Sequence, residues 1–405
     1  QLKSTTAKAG FILSALLIIA SYWVGCMQPK TQISITDPVG EEMFIPRYLT
    51  RNADVGTPEE QAQRQQTYKL LRQKMLANPE DFRPRLQMAQ LCMLEARATG
   101  EHGHYYPASL KVLDEILSSD APQDVVFGAT SLKASVLLSL HQFPAAKKLA
   151  RQAIALNNHN ALTYGALVDA HVELGEYDQA VEMADKMMSI RPDIRSYSRV
   201  SYLRELHGDL TGAIEAMKMA VNAGYPGYEE TAWARLTLGE LYEKKGDLKM
   251  AREHYERILQ NRPQYPFAIA ALAKLDEQEN DIAKAEARLK EAINIIPEVS
   301  FYVDLAALYQ HTGRQAEADH LVSEILTMLA DDEANGHIMG MEYARVYLDL
   351  IGDPEQALMF AQKEYEARPA NIEVNALLAE IHEQLGNKNK ASEFKSSANR
   401  LKTKA

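Results

Sequence analysis

One short pattern recurs through most of this chain: a residue that can end a helix is followed five positions later by alanine, as in Gly175 and Ala180 or Gly246 and Ala251. The helix-ending residues are His141, Gly175, Gly208, Gly246, Asn280, Gly313, Gly352 and Gly386, and they are spaced 34, 33, 38, 34, 33, 39 and 34 residues apart. A 34-residue period with two insertions indicates an array of stacked structural repeats.

The composition identifies the secondary structure within each repeat. Ala, Leu, Met and Glu, which favour helices, are abundant, and long alternating runs of β-branched residues are missing. With 46% hydrophobic and 24% charged residues, the chain can fold and is not intrinsically disordered. These features predict an all-α protein.

Each recurring position has a mechanical reason. Gly or Asn adopts the left-handed conformation that ends a first helix. A small alanine lets the second helix pack closely against the first, and a proline then stops the second helix. The recurring alanines are Ala180, Ala213, Ala251, Ala285, Ala318 and Ala357, and the recurring prolines are Pro192, Pro263, Pro297 and Pro369.

This pattern resembles the tetratricopeptide repeat. The copy that resembles it most contains Leu238, Gly239, Tyr242, Gly246, Ala251, Tyr255 and Pro263. The resemblance implies a right-handed α-solenoid of antiparallel helix pairs, with about nine units. In such a solenoid each unit contacts its neighbours, so a core substitution is expected to have local effects.

The chain divides into four segments. Residues 1–26 form a signal or membrane anchor, residues 27–57 an extended tether, residues 58–120 a leading helix and a degenerate first repeat, and residues 121–405 the solenoid. Thr57 and Pro58 predict a helix start, and that helix extends over about 58–77.

The degenerate repeat and the insertions predict loops. Two helices, Phe82–Arg97 and Pro107–Leu117, are separated by a predicted loop. The insertions that begin at Gly224 and Asp331 are expected to protrude between successive pairs.

The first 26 residues have the layout of an export signal: Lys3 and Lys8 are followed by an apolar run and then by Gly25 and Cys26. The Gly-Cys ending resembles a bacterial lipobox, which implies cleavage before Cys26 and acylation of that residue. The alternative is an uncleaved membrane helix, because 19 residues from Ala9 to Met27 approach the ~20 needed to cross a bilayer. Both interpretations predict membrane anchoring in the bacterial cell envelope, with the body facing the periplasm or the exterior.

Charge limits the partners. With 44 basic and 55 acidic residues, the net charge of −11 repels phosphate backbones and argues against nucleic acid as a partner.

The resemblance also implies which residues line the concave groove, because particular positions of each first helix face it. They are Arg195, Tyr202, Trp233, Leu236, Glu240, Glu243, Phe267, Glu342, Asp349, Glu373, Glu380 and Glu383. Trp233 is the expected anchor for a partner, and packing of its indole against the loop at Gly224 is the alternative. The acidic positions either contact a partner or only solvate exposed helices.

Catalytic signatures are weak, and neither an enzyme nor a cofactor or metal is expected. The sequence from His382 to Gly386 begins like a zinc-protease helix, but glycine stands where the second histidine is required. His102 and His104 supply two ligands where a metal site usually has three or four, so a solvated loop is expected there.

Two functional hypotheses remain. The first is a membrane-anchored, non-catalytic scaffold that binds protein or peptide partners in its groove. The alternative is a component that captures a glycan or peptide for an envelope uptake or secretion system.

Overall fold

A computed structural model describes residues 34–36 and 42–403 of the chain. Its described residues begin with an antiparallel ribbon of β1 (Ser34–Thr36) and β2 (Glu42–Phe44), in which Ile35 is paired with Met43. All the other regular structure in these ranges is helical.

A leading helix, α1 (Pro58–Ala77), precedes nine antiparallel helix pairs in the described part of the chain. The pairs are α2 (Phe82–Thr99) with α3 (His102–Leu117), α4 (Gln123–Ser139) with α5 (Phe143–Leu156), α6 (Ala161–Glu173) with α7 (Tyr177–Ile190), α8 (Ile194–Leu206) with α9 (Leu210–Ala223), α10 (Glu229–Lys244) with α11 (Leu248–Asn261), α12 (Pro266–Gln278) with α13 (Ile282–Ile295), α14 (Val299–His311) with α15 (Gln315–Ala334), α16 (Gly340–Arg345) with α17 (Pro354–Ala367), and α18 (Ile372–Gln384) with α19 (Lys388–Thr403). A π-helical turn, Val346–Ile351, extends α16. The predicted all-α solenoid of about nine helix pairs is confirmed.

The turn residues and alanines behave as the repeat pattern predicts. All eight helix-ending residues have positive φ, from 58° at His141 to 83° at Gly246. The six recurring alanines from Ala180 to Ala357 are at most 1% exposed. Thr57 caps α1 by accepting a hydrogen bond from the Glu60 backbone N–H. These local signals therefore determine where each pair begins and turns.

Two predicted loops are partly helical instead. Helix α3 begins at His102, five residues before the predicted start, and contains Pro107. Burial of the Tyr105 and Tyr106 rings, 1% and 3% exposed, explains the extension. Each ring buries ~200 Å², about 5 kcal/mol at 25 cal/mol per Å², which exceeds the ~3 kcal/mol cost of a proline inside a helix. In the second insertion, α15 continues to Ala334, so that only the residues after it form a loop.

The segment predicted to be a tether is packed at its C-terminal end. Ile45, Leu49 and Val55 are 2%, 8% and 6% exposed. The guanidinium of Arg51 donates two hydrogen bonds, of 2.8 and 2.6 Å, to the buried carboxylate of Glu95 on α2. The chain is therefore fixed to the first pair before α1 begins.

The solenoid also contacts itself across its superhelical turns. The loop after α15 lies on the turn between α4 and α5, where the Ile338 N–H donates to the Leu140 carbonyl at 3.1 Å. The loop before α18 lies on the third pair, where the Ile372 N–H donates to the Tyr177 hydroxyl at 2.8 Å. Arg368 also forms a 2.6 Å ion pair with Glu173.

The segment before α1 and the first turn of α1 make contacts of the same kind. The Asn52 side-chain amide donates to the Asn294 carbonyl at 2.8 Å, and Arg262 pairs with Glu60 at 3.0 Å. Pairs about six units apart are thus in contact, in addition to the contacts between neighbouring pairs that the repeat resemblance implies.

No helix within the described ranges is both long enough and apolar enough to cross a bilayer. The predicted signal and Cys26 lie outside the described residues.

Candidate functional site

The first helices of the pairs form the inner surface of the superhelix. Neighbouring first helices contact one another, for example α2 with α4, α6 with α8 and α12 with α14, in addition to contacting their own partner helices. Because the first helices of successive pairs contact one another directly, they lie on the concave side of the superhelix.

Ion pairs join successive first helices along this surface. The pairs are Asp169 with Arg199, Arg195 with Glu230, Glu205 with Lys244, Lys274 with Asp304, and Arg345 with Glu380. The His311 Nδ1 atom also lies 3.0 Å from the Glu277 carboxylate. Most of these groups are partly solvent-accessible, so each pair contributes little to stability. These pairs neutralise much of the local charge on the inner surface. They also hold the paired side chains in fixed positions.

Two aromatic side chains remain accessible on this surface. The Trp233 side chain on α10 is 48% exposed, so the loop at Gly224 does not enclose its indole. Tyr202 on α8 is 37% exposed. Burial among surrounding groups raises the Tyr202 pKa, and the negative charges of Glu373 and Glu173 raise it further. The phenol is therefore neutral and available as a hydrogen-bond donor at physiological pH.

Two carboxyl groups with raised pKa values lie on α10, the helix that carries Trp233. Glu240 is exposed on α10, yet desolvation raises its pKa, as it also does for Glu229 at the start of the same helix. The protein around each of these two groups therefore favours the neutral form of the carboxyl. Lys244 and Lys274 partly offset the shift at Glu240.

Three predicted groove residues serve the fold instead. Leu236 is 7% exposed and packs in the core formed by the fourth to sixth pairs. Phe267 is half-buried against the same core and the next one. Glu243 accepts a hydrogen bond from the buried Tyr255 hydroxyl. Trp233 and Glu240 lie on the solvent-exposed face of α10. Leu236 lies on a different face of this helix and packs between neighbouring helices.

The remaining predicted residues lie at the two sides of the aromatic region. Arg195 is ion-paired with Glu230, which leaves the cation partly accessible. At the far end, Glu380 is paired with Arg345, Asp349 lies 3.8 Å from the same guanidinium, and Glu342 is half-buried. Glu373 and Glu383 are exposed. The far end is therefore less negative than the sequence alone implies.

A cavity of about 300 Å³ was not expected from the sequence. It lies where the segment before α1 meets the fifth and sixth pairs, and its lining includes Val55, Arg97, Tyr265 and Ile296. Residues that line it are more than 200 positions apart in the chain, so no local pattern could have revealed it.

Comparison with known proteins supports the repeat assignment. Profiles described as tetratricopeptide repeat match residues 137–205 and 232–275. The Protein CTR9 homolog of Arabidopsis thaliana is 23% identical over 304 residues, which cover 64% of this chain and 27% of that protein. Cellulose synthase operon protein C of Pseudomonas fluorescens (strain SBW25) is 25% identical over 171 residues, which cover 40% of this chain and 13% of that protein. This chain thus spans only about a quarter or less of these relatives.

Several solved structures are similar in fold. The Cut9–Hcn1 hetero-tetramer of the APC/C is matched with 16% identity and a TM-score of 0.47, over 72% of this chain and 55% of that chain. The type IV pilus biogenesis factor PilW is matched with 17% identity and a TM-score of 0.41, over 51% and 94%. A tetratricopeptide repeat protein of Thermus thermophilus is matched with 22% identity and a TM-score of 0.40, over 47% and 99%. The two profile matches show that this chain carries tetratricopeptide repeats at residues 137–205 and 232–275.

Proposed function

We propose that this protein is a non-catalytic scaffold that binds protein or peptide partners on the inner surface of its superhelix. The observation that carries the proposal is the half-exposed indole of Trp233 on a first helix. Large aromatic residues in a concave, partly desolvated setting commonly dominate binding energy. Tyr202, on the preceding first helix, provides a second aromatic contact and a hydroxyl.

The partner chemistry follows from the groups around Trp233. An apolar side chain of the partner packs on the indole, and polar groups of the partner contact the Tyr202 hydroxyl and the Glu240 carboxylate. Because cations already pair with many of the inner carboxylates, charge contributes more to association rate than to affinity.

We expect Trp233→Ala to weaken binding of the main partner by more than about tenfold, equivalent to ~1.4 kcal/mol. A photo-crosslinking residue placed at Tyr202 identifies the partner, and titration with the purified partner then measures the affinity. Met219→Ala is the matched control, because Met219 is 49% exposed but lies on a second helix. If a folded Trp233→Ala variant binds as tightly as the Met219→Ala control, the binding site lies elsewhere.

We also propose that the protein is anchored to a membrane of the bacterial envelope through Cys26. The support is the Gly25-Cys26 ending after a short apolar run. A lipid on Cys26 would tether the chain 25 residues before the packed segment around Arg51.

Intact mass spectrometry of the protein from its native membrane tests the anchor. We expect a chain that begins at Cys26 and carries a diacyl or triacyl mass increment. A Cys26→Ser variant should lose both the increment and the cleavage. A full-length chain with an unmodified Cys26 would favour the uncleaved membrane helix.

A further inference from the structure

Three potential metal ligands from distant parts of the chain meet where two superhelical turns touch. His102 is the first residue of α3, Asp332 lies near the end of α15, and His337 follows in the loop after α15. One ligand atom from each of these side chains lies within 4.8 Å of the other two. The rings of His102 and His337 are 5.6 Å apart between centroids.

The surrounding structure positions these groups. The loop that carries His337 is held by the turn between α4 and α5, because Gln142 donates to the Gly336 carbonyl at 2.8 Å. The His337 backbone N–H donates to the Asp332 carbonyl at 3.1 Å, which fixes the two residues relative to each other. His102 stacks on Tyr106 one helical turn away. The cluster is thus built on packed elements.

A second observation at His337 points to a ligand of this cluster. The His337 side chain is 7% exposed, and its Nδ1 atom has no hydrogen-bond partner within the described part of the chain. The nearest carboxylate oxygen, on Asp332, is 3.9 Å away, which is too far for a hydrogen bond. Leaving a buried polar nitrogen without a partner is unfavourable, so such an atom requires an explanation.

The donor set selects the class of ion. Two imidazole nitrogens and one carboxylate oxygen suit Zn²⁺ and related first-row transition ions, whereas Mg²⁺ and Ca²⁺ prefer oxygen ligands throughout. With tetrahedral bonds of about 2.0–2.1 Å, the ligand atoms would lie ~3.3 Å apart, so the present separations must shorten by at most about 1.5 Å. Rotation of the partly exposed His102 and Asp332 side chains can supply that change.

We propose that His102, Asp332 and His337 bind one Zn²⁺ ion, with solvent at the fourth position. The ion joins α3 of the first pair to α15 and the loop after it in the seventh pair. It therefore acts as a structural link between successive superhelical turns, and its position is separate from the inner stripe around Trp233.

Titration of the full-length, chelator-treated protein with Zn²⁺ by calorimetry tests the site. We expect one ion per chain with a Kd below about 1 µM, and stronger hydrogen-exchange protection of residues 100–106 and 335–338 when the ion is bound. His337→Ala and His102→Ala should each weaken binding by at least about tenfold, since even the loss of an outer-shell partner can do so.

His104→Ala is the matched control. His104 lies two residues from His102, but its Nε2 contacts the Arg47 carbonyl at 2.8 Å, and it is not part of the cluster. We expect this variant to retain wild-type Zn²⁺ affinity. Asp332→Asn preserves the side-chain shape and should weaken Zn²⁺ binding. It takes the place of a histidine variant in the titration if circular dichroism shows that the histidine variant does not fold.

Co²⁺ serves as a spectroscopic probe in the same variants, because its visible absorption reports tetrahedral coordination by nitrogen and oxygen. Loss of this absorption in His337→Ala, with retention in His104→Ala, would support the assignment. Absence of saturable Zn²⁺ binding, or unchanged affinity in a folded variant that lacks both His102 and His337, would overturn it.

Discussion

Gly175→Ala is expected to destabilise the protein more than Gly208→Ala, although the two glycines have similar backbone conformations, with φ of 75° and 79°. In the left-handed region an alanine costs about 1–2 kcal/mol, and this cost applies to both variants. A Cβ at Gly175 would also lie 2.3 Å from the backbone carbonyl of Ala370, whereas a Cβ at Gly208 has no neighbour within 4 Å. Overpacking against backbone adds about 1–3 kcal/mol at Gly175 alone.

Urea unfolding and hydrogen exchange measure this difference. The Gly175→Ala variant should lose protection both at residues 173–177 and at residues 368–372, because the clash separates the third pair from the loop before α18. The Gly208→Ala variant should lose protection only near its own turn. Equal unfolding free energies for the two variants would mean that the contact between turns does not contribute to stability.

Arg51→Met is expected to lower the unfolding free energy by about 3–5 kcal/mol, because it leaves a buried carboxylate without its main partner. Glu95 is 0% exposed and accepts both hydrogen bonds from Arg51, while Arg64 lies 4.0 Å away and is partly exposed. Chemical denaturation of the single variant gives the magnitude directly.

Two controls separate charge burial from the loss of an ordinary ion pair. Arg83→Met removes the exposed pair with Asp124, whose side chains are 61% and 64% exposed, and should cost about 0–1 kcal/mol. The double variant Arg51→Met and Glu95→Met should recover much of the loss, since no charge is then buried. If the double variant is as unstable as Arg51→Met alone, the effect comes from packing.

The sequence was sufficient to predict the elements whose signals are local. Helix α1 occupies the predicted 58–77, and all eight predicted turn residues have the left-handed conformation, including the non-glycine residues His141 and Asn280. Each of these features depends on residues within about one helical turn. The same local pattern identified the buried alanines, because close helix packing requires a small residue at a fixed offset from the turn.

The contacts between superhelical turns could not be predicted in this way. Arg368 and Glu173 are 195 residues apart, and they meet only because small rotations between successive pairs accumulate around the superhelix. The early start of α3 depends on burial of Tyr105, whose hydroxyl accepts a hydrogen bond from the Leu49 N–H, 56 positions away. Such long-range partners leave no periodic trace in the sequence.

The groove residues expected from the sequence differ in their exposure. The positions implied by the repeat resemblance include Trp233 and Tyr202, which are accessible, and also Leu236, which is buried. The repeat pattern gives the position of a residue along its helix, but it does not give the rotation of that helix about its own axis. A rotation smaller than the angle between two successive residues moves a side chain from the groove into the contact between neighbouring helices. The cluster of His102, Asp332 and His337 could not be predicted, because its members come from two segments more than 200 residues apart in the chain.

The contacts between turns impose an order on folding. In an unfolded chain, bringing Tyr177 to Ile372 would close a loop of 195 residues, at a conformational-entropy cost of about 5 kcal/mol from (3/2)RT ln n. Once the intervening pairs have stacked, the rigid superhelix itself brings the two sites together, and that loop no longer has to be closed. Stacking of neighbouring pairs therefore comes first and closure between turns comes last, so local contacts set the folding rate although the finished structure contains long-range ones.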